Sequence, residues 1–478
     1  MNNQTEYFTR SHEATDHELA TSDVPSLSEL LVDNPTLQIF TPSMPGFSAL
    51  RCIYSLNVTS SPLAIVRPKT SVEITTIVKY TVKNKIPISV RVGGHDMFGR
   101  SMPHDTLVID IRNLNHFTLL LDESAALIGG GIIQSELISK LALTGHTTPF
   151  ASAPSVGYAG WATLGGYGLL SGAFGLGVDQ IIGATLINDT GDIVEANSEM
   201  LFALRGGGGS IGIIIAMKIR VYKLPRVLAG LIVFESKNIE ERMKAFCTSY
   251  RDLQEENLPA PFGAQIAVVN LPGKGRSLIS TFMWASVDLD KGYEFLERYK
   301  SLGEPVLVAV HEMTPPQWMD MSKDFGTYGV YNGIKSANLS DLSDRYLDII
   351  ANHVSRMPVA GATLLFMHQL HGEATKSEPN SCFGSRRPHF VLEILGSSKE
   401  EELRDGSLKW ATNLHQEIIS SKVALKGGYV ALLQDHEING GDCYGENWKK
   451  LQDIKRKYDP RNIFRFAVPS GTLMALPT

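Results

Sequence analysis

The sequence has little cysteine and no long hydrophobic run. Its cysteines, Cys52, Cys247, Cys382 and Cys443, lie far apart and form no CxxC pair. A disulfide framework is therefore not expected in so long a chain, and free thiols fit a reducing compartment. No apolar run approaches the roughly 18 residues of a membrane span, and the polar N-terminus lacks the apolar core of a secretory signal. These absences predict an intracellular, cytoplasmic protein without a membrane segment.

The chain also lacks any block of basic residues. It has 44 Lys and Arg against 50 Asp and Glu, which gives a formal net charge of -6. Neither a nucleic acid nor an anionic membrane is therefore expected as a partner. Hydrophobic residues make up 43% and charged residues 20% of the 478 residues, which is typical of a soluble globular protein with two or three domains.

A β-α-β unit is predicted to follow an N-terminal tail at residues 1–39. The stretch "LAIVRP" is typical of a strand, and "TSVEITTIVKYTVKNK" has apolar residues at helical spacing. Thr70 and Glu73 form a capping-box pattern at the start of this helix. The next strand, "IPISVRV", runs into Gly93 and Gly94.

The composition changes after about residue 226. Strand-like segments such as "GAQIAVVN", "ATLLFMHQL" and "HFVLEILGSS" alternate with longer helical segments up to residue 439. This pattern predicts an α+β domain in which helices cover a mostly antiparallel sheet. The last segment, residues 440–478, contains a helix and a turn at Asp459–Pro460.

Three glycine-rich segments lie between residues 91 and 212: "RVGGHD", "PSVGYAGWATLGGYG" and "RGGGGSIG". None has the GxGxxG or GxxxxGK[ST] pattern of common nucleotide-binding loops. The first segment alone is compatible with a tight turn and a surface histidine. Glycines without a Cβ allow the backbone to approach a ligand closely. Together, the segments indicate one extended ligand, such as a dinucleotide cofactor.

These segments resemble the PCMH-type FAD domain of the vanillyl-alcohol-oxidase flavoproteins, and most closely the berberine-bridge-enzyme-like branch. The matching motifs occur in the order of that family, and the last of them is "YGENWKKLQDIKRKYDPRNIFR". The resemblance implies a two-lobed fold, with an FAD domain at 40–225, a substrate domain at 226–439 and a C-terminal segment at 440–478 that returns to the FAD domain. It also implies a set of FAD contacts: Val92, Gly93, Gly94, His95, Asp96, Gly99, Ser155, Val156, Gly157, Gly160, Gly165, Gly166, Tyr167, Gly168, Val178, Asp179, Ile193, Val194, Tyr444 and Asn447.

The resemblance assigns a covalent role to His95. In this family, the histidine that follows the two glycines is bonded to the 8α-methyl group of the flavin. Some members carry a second bond from a cysteine before the "PxVG" motif, but Ala153 occupies that position here. We therefore expect a single covalent link, through His95.

The sequence offers more than one candidate for the catalytic base. The motif with two family tyrosines is present as "KGGYVALLQD", in which Tyr429 matches the first and no tyrosine matches the second. The strand "TLLFMHQLHGEA" offers His371, ahead of His368, as a general base, with Gln369 as an orienting group. Alternation along this strand predicts that His368 and His371 face opposite sides, so no metal site is expected. Arg386 and Arg387 match a family arginine, and their default interpretation is a solvated loop pair.

The function implied by the resemblance is an FAD-linked oxidase of a small organic molecule, as in specialised metabolism. Substrate hydride would pass to the flavin, and O₂ would reoxidise it to give hydrogen peroxide. A pericyclase on the same fold, with or without a preceding oxidation, is the alternative. A third alternative, a binding protein without catalysis, would be expected to have lost the glycines or His95, and the sequence retains both. The protein is expected to be a monomer or a homodimer.

Overall fold

The computed structural model describes residues 13–324, 326–469 and 473–474. Within these residues, no helix has both the length and the apolarity needed to cross a bilayer. The helices are α1 Glu13–Asp23, α2 Ser28–Asp33, α3 Phe47–Arg51, α4 Ser71–Asn84, α5 Gln134–Ala142, α6 Tyr158–Thr163, α7 Ser171–Phe174, α8 Gly177–Gln180, α9 Ser198–Gly207, α10 Ile239–Glu255, α11 Leu289–Lys300, α12 Pro315–Met321, α13 Asp344–Val354, α14 Glu401–Ser420, α15 Gly440–Tyr444 and α16 Asn447–Tyr458.

The strands form two small sheets and one large sheet, together with a short two-stranded pair. They are β1 Gln38–Phe40, β2 Ala64–Arg67, β3 Ile88–Arg91, β4 Leu107–Asp110, β5 Phe117–Leu119, β6 Ala125–Gly129, β7 His146–Thr147, β8 Ile181–Ile187, β9 Ile193–Glu195, β10 Ile213–Arg220, β11 Tyr222–Lys223, β12 Val227–Phe234, β13 Phe262–Leu271, β14 Gly275–Trp284, β15 Pro305–Met313, β16 Ile334–Leu339, β17 Thr363–Leu370, β18 His389–Gly396 and β19 Ala424–Leu425.

The first lobe contains the two small sheets. One has the order β1-β2-β4-β3, in which β2, β4 and β3 are parallel. The other has the order β5-β6-β10-β8-β9 and is antiparallel. The predicted β-α-β unit is confirmed, since α4 connects β2 to β3 and buries Ile74, Ile77 and Val78 against the first sheet. The capping box is also confirmed, because Thr70 Oγ1 accepts from the Glu73 N–H and Glu73 Oε2 accepts from the Thr70 N–H.

The second lobe is built on an eight-stranded sheet in the order β15-β12-β14-β13-β17-β18-β16-β19. All of its pairings are antiparallel, as the sequence pattern predicts. One face packs against helices α10, α11, α13 and α14 and forms an apolar core. On β17, Leu365 and Met367 point into that core, so Leu364, Phe366 and His368 point to the opposite face.

The expectation of a loose N-terminal tail up to residue 39 is wrong for residues 13–39. Helices α1 and α2 lie in this range, and β1 pairs with β2 through Gln38 and Ile39. Ala20, Leu27 and Leu30 are fully buried in the core of the first lobe. The apolar residues are sparse and irregularly spaced here, so no helical period was evident. Residues 1–12 lie outside the described residues.

The C-terminal helix α16 is tied to the first lobe by a buried ion pair. Lys455 Nζ lies 2.5 Å from Asp459 Oδ2 and donates to the Ser210 carbonyl at 2.8 Å. Both side chains are fully buried. Asp459 also accepts from the backbone N–H groups of Ile463 and Phe464. This arrangement holds the C-terminal segment against the glycine-rich loop that contains Ser210.

We expect the variant Lys455→Met to be strongly destabilised. It leaves the Asp459 carboxylate buried without its cation, and breaking a buried pair typically costs about 3–5 kcal/mol. Chemical denaturation measures this free energy of unfolding. The matched control is Lys449→Met on the same helix, where the side chain is 73% exposed and the expected change is within about 0.5 kcal/mol. Equal effects of the two variants would contradict this role of the pair.

Candidate active site

A cavity of about 580 Å³ lies between the two lobes. The first lobe lines it with the ends of β3 and β4 and with all three glycine-rich segments. The second lobe lines it with the exposed face of the large sheet. Most of the sheet side chains in the lining are apolar, and they include Leu364, Phe366 and Leu395. The cavity therefore has bare backbone on one side and an apolar wall on the other.

The first two glycine-rich segments meet backbone to backbone at this cavity. A Cβ on Gly93 would lie 2.3 Å from the Ser155 carbonyl oxygen, and a Cβ on Gly157 would lie 2.7 Å from Val92 Cγ1. Neither position has room for a side chain. Glycine is required here because two loops from different parts of the chain approach closely.

We expect Gly93→Ala to lower stability by about 1–3 kcal/mol, because the new methyl group forces the two loops apart. Thermal unfolding measures this loss. Gly406→Ala is the matched control: Gly406 lies on the helix α14, and a Cβ there would meet nothing within 4 Å. Alanine has the higher helix propensity, so the control should be slightly more stable than the wild type. A Gly93→Ala protein as stable as the control would contradict the close contact.

His95 follows these glycines and lines the cavity. Its Nε2 lies 2.7 Å from Ser155 Oγ, and its ring is flanked by Tyr54 and Tyr328 at centroid distances of 5.7 and 4.9 Å. Burial, and secondarily the positive charge of Arg91, lowers the pKa of His95 to about 4. The imidazole is therefore neutral at physiological pH. A neutral ring retains a nitrogen lone pair that can act as a nucleophile.

The position where some relatives have a second attachment carries no nucleophile. Ala153 lines the cavity, and a Cβ built on Gly326 would lie 3.0 Å from the Ala153 methyl group and 3.7 Å from His95 Cε1. The free cysteines Cys52, Cys247, Cys382 and Cys443 are not among the described residues that line the cavity. Next to Ala153, His95 presents a neutral ring nitrogen that can act as a nucleophile.

The sheet face contributes a polar cluster that we call the Gln265–His368–Glu393 row. Gln265 on β13, His368 on β17 and Glu393 on β18 all line the cavity. Gln265 Nε2 lies 3.0 Å from His368 Nδ1. His368 Nε2 lies 3.2 Å from Glu393 Oε1, within ion-pair distance although not aligned as a hydrogen bond. A carboxylate supported by an imidazole is a typical general base.

The structure does not support the sequence-based order of the histidines. His371 lies just beyond β17 and packs against Phe262 and Gly172, away from the residues described as lining the cavity. Burial lowers its pKa. Gln369 points into the helix-covered core, where its Oε1 accepts from the Tyr250 hydroxyl. The strand ends at Leu370, so simple alternation was not a safe guide to His371.

Three tyrosines complete the lining near the polar row. The Tyr429 ring packs on Tyr167 with a centroid distance of 4.8 Å, and burial raises the pKa of both phenols. Burial and the Glu393 carboxylate raise the pKa of Tyr54 to about 12. All three hydroxyls are therefore protonated at neutral pH and can donate hydrogen bonds. Ala431 and Leu432, which follow Tyr429 in the sequence, also line the cavity.

The residues predicted to hold FAD divide into two groups. Those that line the cavity are Val92, Gly93, Gly94, His95, Asp96, Val156, Gly157, Gly160 and Tyr167. Those that are not among its described lining residues are Gly99, Ser155, Gly165, Gly166, Gly168, Val178, Asp179, Ile193, Val194, Tyr444 and Asn447. In the second group, Ser155 still contacts His95.

Several residues of the second group make close contacts within the protein, and their contact with FAD stays a prediction. A Cβ on Gly166 would lie 2.5 Å from Gly177 Cα, and one on Gly168 would lie 2.3 Å from the Phe150 carbonyl oxygen. Tyr444 is buried, and its hydroxyl donates to the Gly206 carbonyl at 3.1 Å. Asn447 donates to the backbone of Ser381 and Cys382. These contacts shape the loops around the cavity.

Asp179 and Arg386 form an ion pair between the lobes. Arg386 donates to both carboxylate oxygens of Asp179, at 2.6 and 2.8 Å, and both side chains are less than one-fifth exposed. The interpretation of Arg386 as a solvated loop residue is therefore wrong, whereas Arg387 is exposed. Asp179 holds the lobes together and is not among the described residues that line the cavity.

Several lining residues were not predicted from the sequence. Glu393 and Gln265 are isolated polar residues in the apolar strands "HFVLEIL" and "GAQIAVVN", and that isolation was the available signal. Tyr54 and the C-terminal lining residues carried no comparable signal. The missed lining residues on the first lobe include Ile88, Ser89, Ile111, Gly208, Gly209, Gly212, Phe464, Phe466 and Val468.

Comparison with known proteins gives consistent matches along the chain. Residues 62–197 match the family model described as "FAD binding domain", and residues 433–469 match the model described as "Berberine and berberine like". The chain is 32% identical to the FAD-linked oxidoreductase aurO of Gibberella zeae, over 92% of this chain and 87% of that protein.

Solved structures share the fold. The wild-type berberine-bridge-enzyme-like protein 1 of Physcomitrella patens has a TM-score of 0.82 at 21% identity, covering 93% of this chain and 99% of that one. Acremonium strictum glucooligosaccharide oxidase, which has a 6-S-cysteinyl, 8α-N1-histidyl FAD, gives a TM-score of 0.79 at 17% identity, covering 92% and 97%.

Proposed function

Because the chain belongs to the berberine-bridge-enzyme-like family of FAD-linked oxidoreductases, we propose that it is an oxidase of a small organic substrate. The observation that carries this proposal is that a neutral, buried His95 and a carboxylate, Glu393, line the same interlobe cavity. His95 can anchor a flavin, and Glu393 can accept a proton from a substrate that is bound between the flavin and the large sheet.

The lining fits FAD in three respects. Glycines at 93, 94, 157, 160, 208 and 209 leave backbone at the cavity wall, as a pyrophosphate requires. A Cβ on Gly160 would meet nothing within 4 Å, so this part of the wall has free space beside it. The ends of β3 and β4 provide apolar side chains such as Ile88 and Ile111 for an adenine ring.

The covalent link is proposed at His95 alone. When Nε2–H donates to Ser155 Oγ, the lone pair lies on Nδ1 and is available for bonding to the flavin 8α carbon. The 8α-N1-histidyl FAD of the glucooligosaccharide oxidase supports this chemistry. The second, cysteinyl link of that enzyme has no counterpart here, because Ala153 carries only a methyl group.

The residues of the sheet face would prepare the substrate for oxidation. When bound, FAD supplies a hydride acceptor whose electrons pass to O₂ and yield hydrogen peroxide. Glu393 takes the proton that leaves the substrate, and His368 stabilises the carboxylate. The apolar side chains Leu364, Phe366 and Leu395 exclude water around the substrate and favour an aromatic or otherwise apolar skeleton. The named relatives are oxidoreductases and oxidases, which favours oxidation over pericyclic cyclisation.

This function is tested by adding a panel of phenols, cyclic amines and oligosaccharides to the purified holoprotein without oxygen. An accepted substrate should bleach the oxidised flavin spectrum, and readmitted O₂ should restore it with one hydrogen peroxide per flavin turnover. Hydrogen peroxide is measured with a coupled peroxidase. A purified protein that neither contains FAD nor takes it up on reconstitution would contradict the proposal. Light scattering of the same sample gives the mass, which distinguishes a monomer from a homodimer.

A further inference from the structure

The Gln265–His368–Glu393 row interrupts an otherwise apolar sheet face. Gln265 lies directly opposite His368 in the β13–β17 pairing, and Glu393 lies diagonally across from His368 on β18. Side chains this close across a sheet interact directly. Gln265 Nε2 also lies 3.5 Å from Ser152 Oγ, next to Ala153. The row therefore extends from the proposed base to the loop beside His95.

The hydrogen-bonding capacity of each group restricts where the protons lie. The Gln265 amide nitrogen only donates, so His368 Nδ1 must accept and carry no proton. A neutral imidazole has one N–H, which is then on Nε2, facing Glu393 at 3.2 Å. The neutral ring thus has its only proton on the nitrogen nearest the carboxylate, within ion-pair distance although not aligned as a hydrogen bond, and has no lone pair free for a substrate.

We propose that Gln265 is a positioning residue that keeps His368 neutral, as the Nε2–H tautomer, beside the Glu393 carboxylate. This inference rests on the proposed function, because it concerns the base of that reaction. An imidazolium at the same place would stabilise the negative charge of the carboxylate more strongly and make Glu393 a weaker base. Protonation of His368 would put an N–H on Nδ1, directly facing the N–H donor of Gln265. The two donors repel each other, so Gln265 opposes this protonation.

The alternative orientation of the amide has the opposite consequence. If the Gln265 oxygen faced His368, it would accept from Nδ1–H and favour the imidazolium. Removing Gln265 then lowers the pKa of His368, whereas in the proposed arrangement its removal raises that pKa. The direction in which the pKa of His368 changes when Gln265 is removed therefore decides between the two orientations of the amide.

Other titratable groups also line the cavity near the row. The Glu393 charge acts on Tyr54 and Tyr429, and burial raises the pKa of both phenols. The pKa of Tyr167 is likewise raised, and that of His95 is lowered to about 4. Lys399 and Asp324 also line the cavity, as does Arg100, which is paired with Asp96 and Asp435. His95 and His368 are the two histidines among the described residues that line the cavity.

Histidine-selective ¹⁵N spectra of the holoprotein test the proposal without a substrate. The His368 resonances are assigned as those missing from His368→Asn. In the wild type at pH 7 we expect a protonated Nε2 and an unprotonated, hydrogen-bonded Nδ1. In Gln265→Leu, and more strongly in Gln265→Glu, whose carboxylate accepts from Nδ1–H, a larger fraction of His368 should be protonated at both nitrogens at a given pH. Gln416→Glu, at an exposed site on α14, adds the same charge and should leave His368 unchanged.

An imidazolium or an Nδ1–H tautomer in the wild type at pH 7 would overturn the inference, as would a lowered or unchanged pKa in Gln265→Leu. If that variant does not fold, Gln265→Met provides the same comparison. With a substrate in hand, flavin reduction at pH 7 should be slower in Gln265→Leu than in the wild type, because Glu393 is then a weaker base. If no compound reduces the flavin, the proposed function fails while the spectra still decide the tautomer. If flavin reduction depends on Glu393 but the spectra show another protonation state of His368, this inference is wrong while the proposed function stands.

Discussion

Glu393→Gln should slow anaerobic flavin reduction by about 10²–10⁴-fold, the usual cost of removing a general base. The amide keeps the shape and hydrogen-bonding reach of the carboxylate but cannot accept the substrate proton. Flavin content and thermal stability should be unchanged, because the Glu393 side chain lies at the cavity and is 22% exposed. Stopped-flow absorbance under nitrogen measures the reduction rate.

Two comparisons make this result specific. Glu297→Gln removes a carboxylate that is 68% exposed on α11, far from the lining, and should reduce at the wild-type rate. His371→Ala should also reduce at close to the wild-type rate, because His371 packs against Phe262 away from the cavity lining. If His371→Ala is slowed and Glu393→Gln is not, the order suggested by the sequence is right and our assignment of the proton acceptor is wrong.

His95→Ala should yield a protein from which acid releases all of its flavin. The wild-type protein should retain its flavin in the acid precipitate and as a fluorescent band on a denaturing gel. The physical reason is that the neutral imidazole is the nucleophile at this end of the cavity, and alanine has none. His104→Ala, at a side chain that is 68% exposed, is the control and should keep the covalent flavin.

Ser155→Ala refines the same experiment. Without the partner of Nε2, the His95 ring loses the hydrogen bond that fixes its orientation and tautomer. Covalent incorporation should then be slower but not abolished. A wild-type protein that already loses all its flavin to acid would refute the link at His95, while the noncovalent FAD site could still stand.

The fold was predictable where local signals were strong. The β-α-β unit around α4 has both a helical period and a capping box, and the strands of the second lobe alternate or run as short apolar segments. The first helices were missed because their few buried residues, such as Ala20 and Leu27, lie in a polar stretch and are buried only by contact with distant elements. Such burial is a tertiary property that a local pattern does not contain.

The sequence predicts the glycine-rich loops that line the cavity, but it does not predict the polar side chains that we propose act on the substrate. The glycine motifs led to His95 because close approach of two backbone segments requires glycine at fixed positions, and His95 follows them at the cavity. Glu393 and Gln265 were missed because their significance depends on pairing between β13, β17 and β18, which sets them beside His368. A one-residue change in register moves a side chain to the other face of a sheet. Tyr444 and Asp179 match family motifs and stay predicted FAD contacts; in the structure, Tyr444 donates to the Gly206 carbonyl and Asp179 pairs with Arg386 of the other lobe.

The lining of the cavity spans almost the whole chain, from Tyr54 to Val468. The N-terminal part of the chain emerges from the ribosome first, and domains generally fold in that order during synthesis. The nascent first lobe would therefore have His95 in place before the wall made by Phe464 and Val468, and before Lys455 secures the Ser210 loop. The link that we propose at His95 would then form late in maturation, after the C-terminal wall of the cavity is in place.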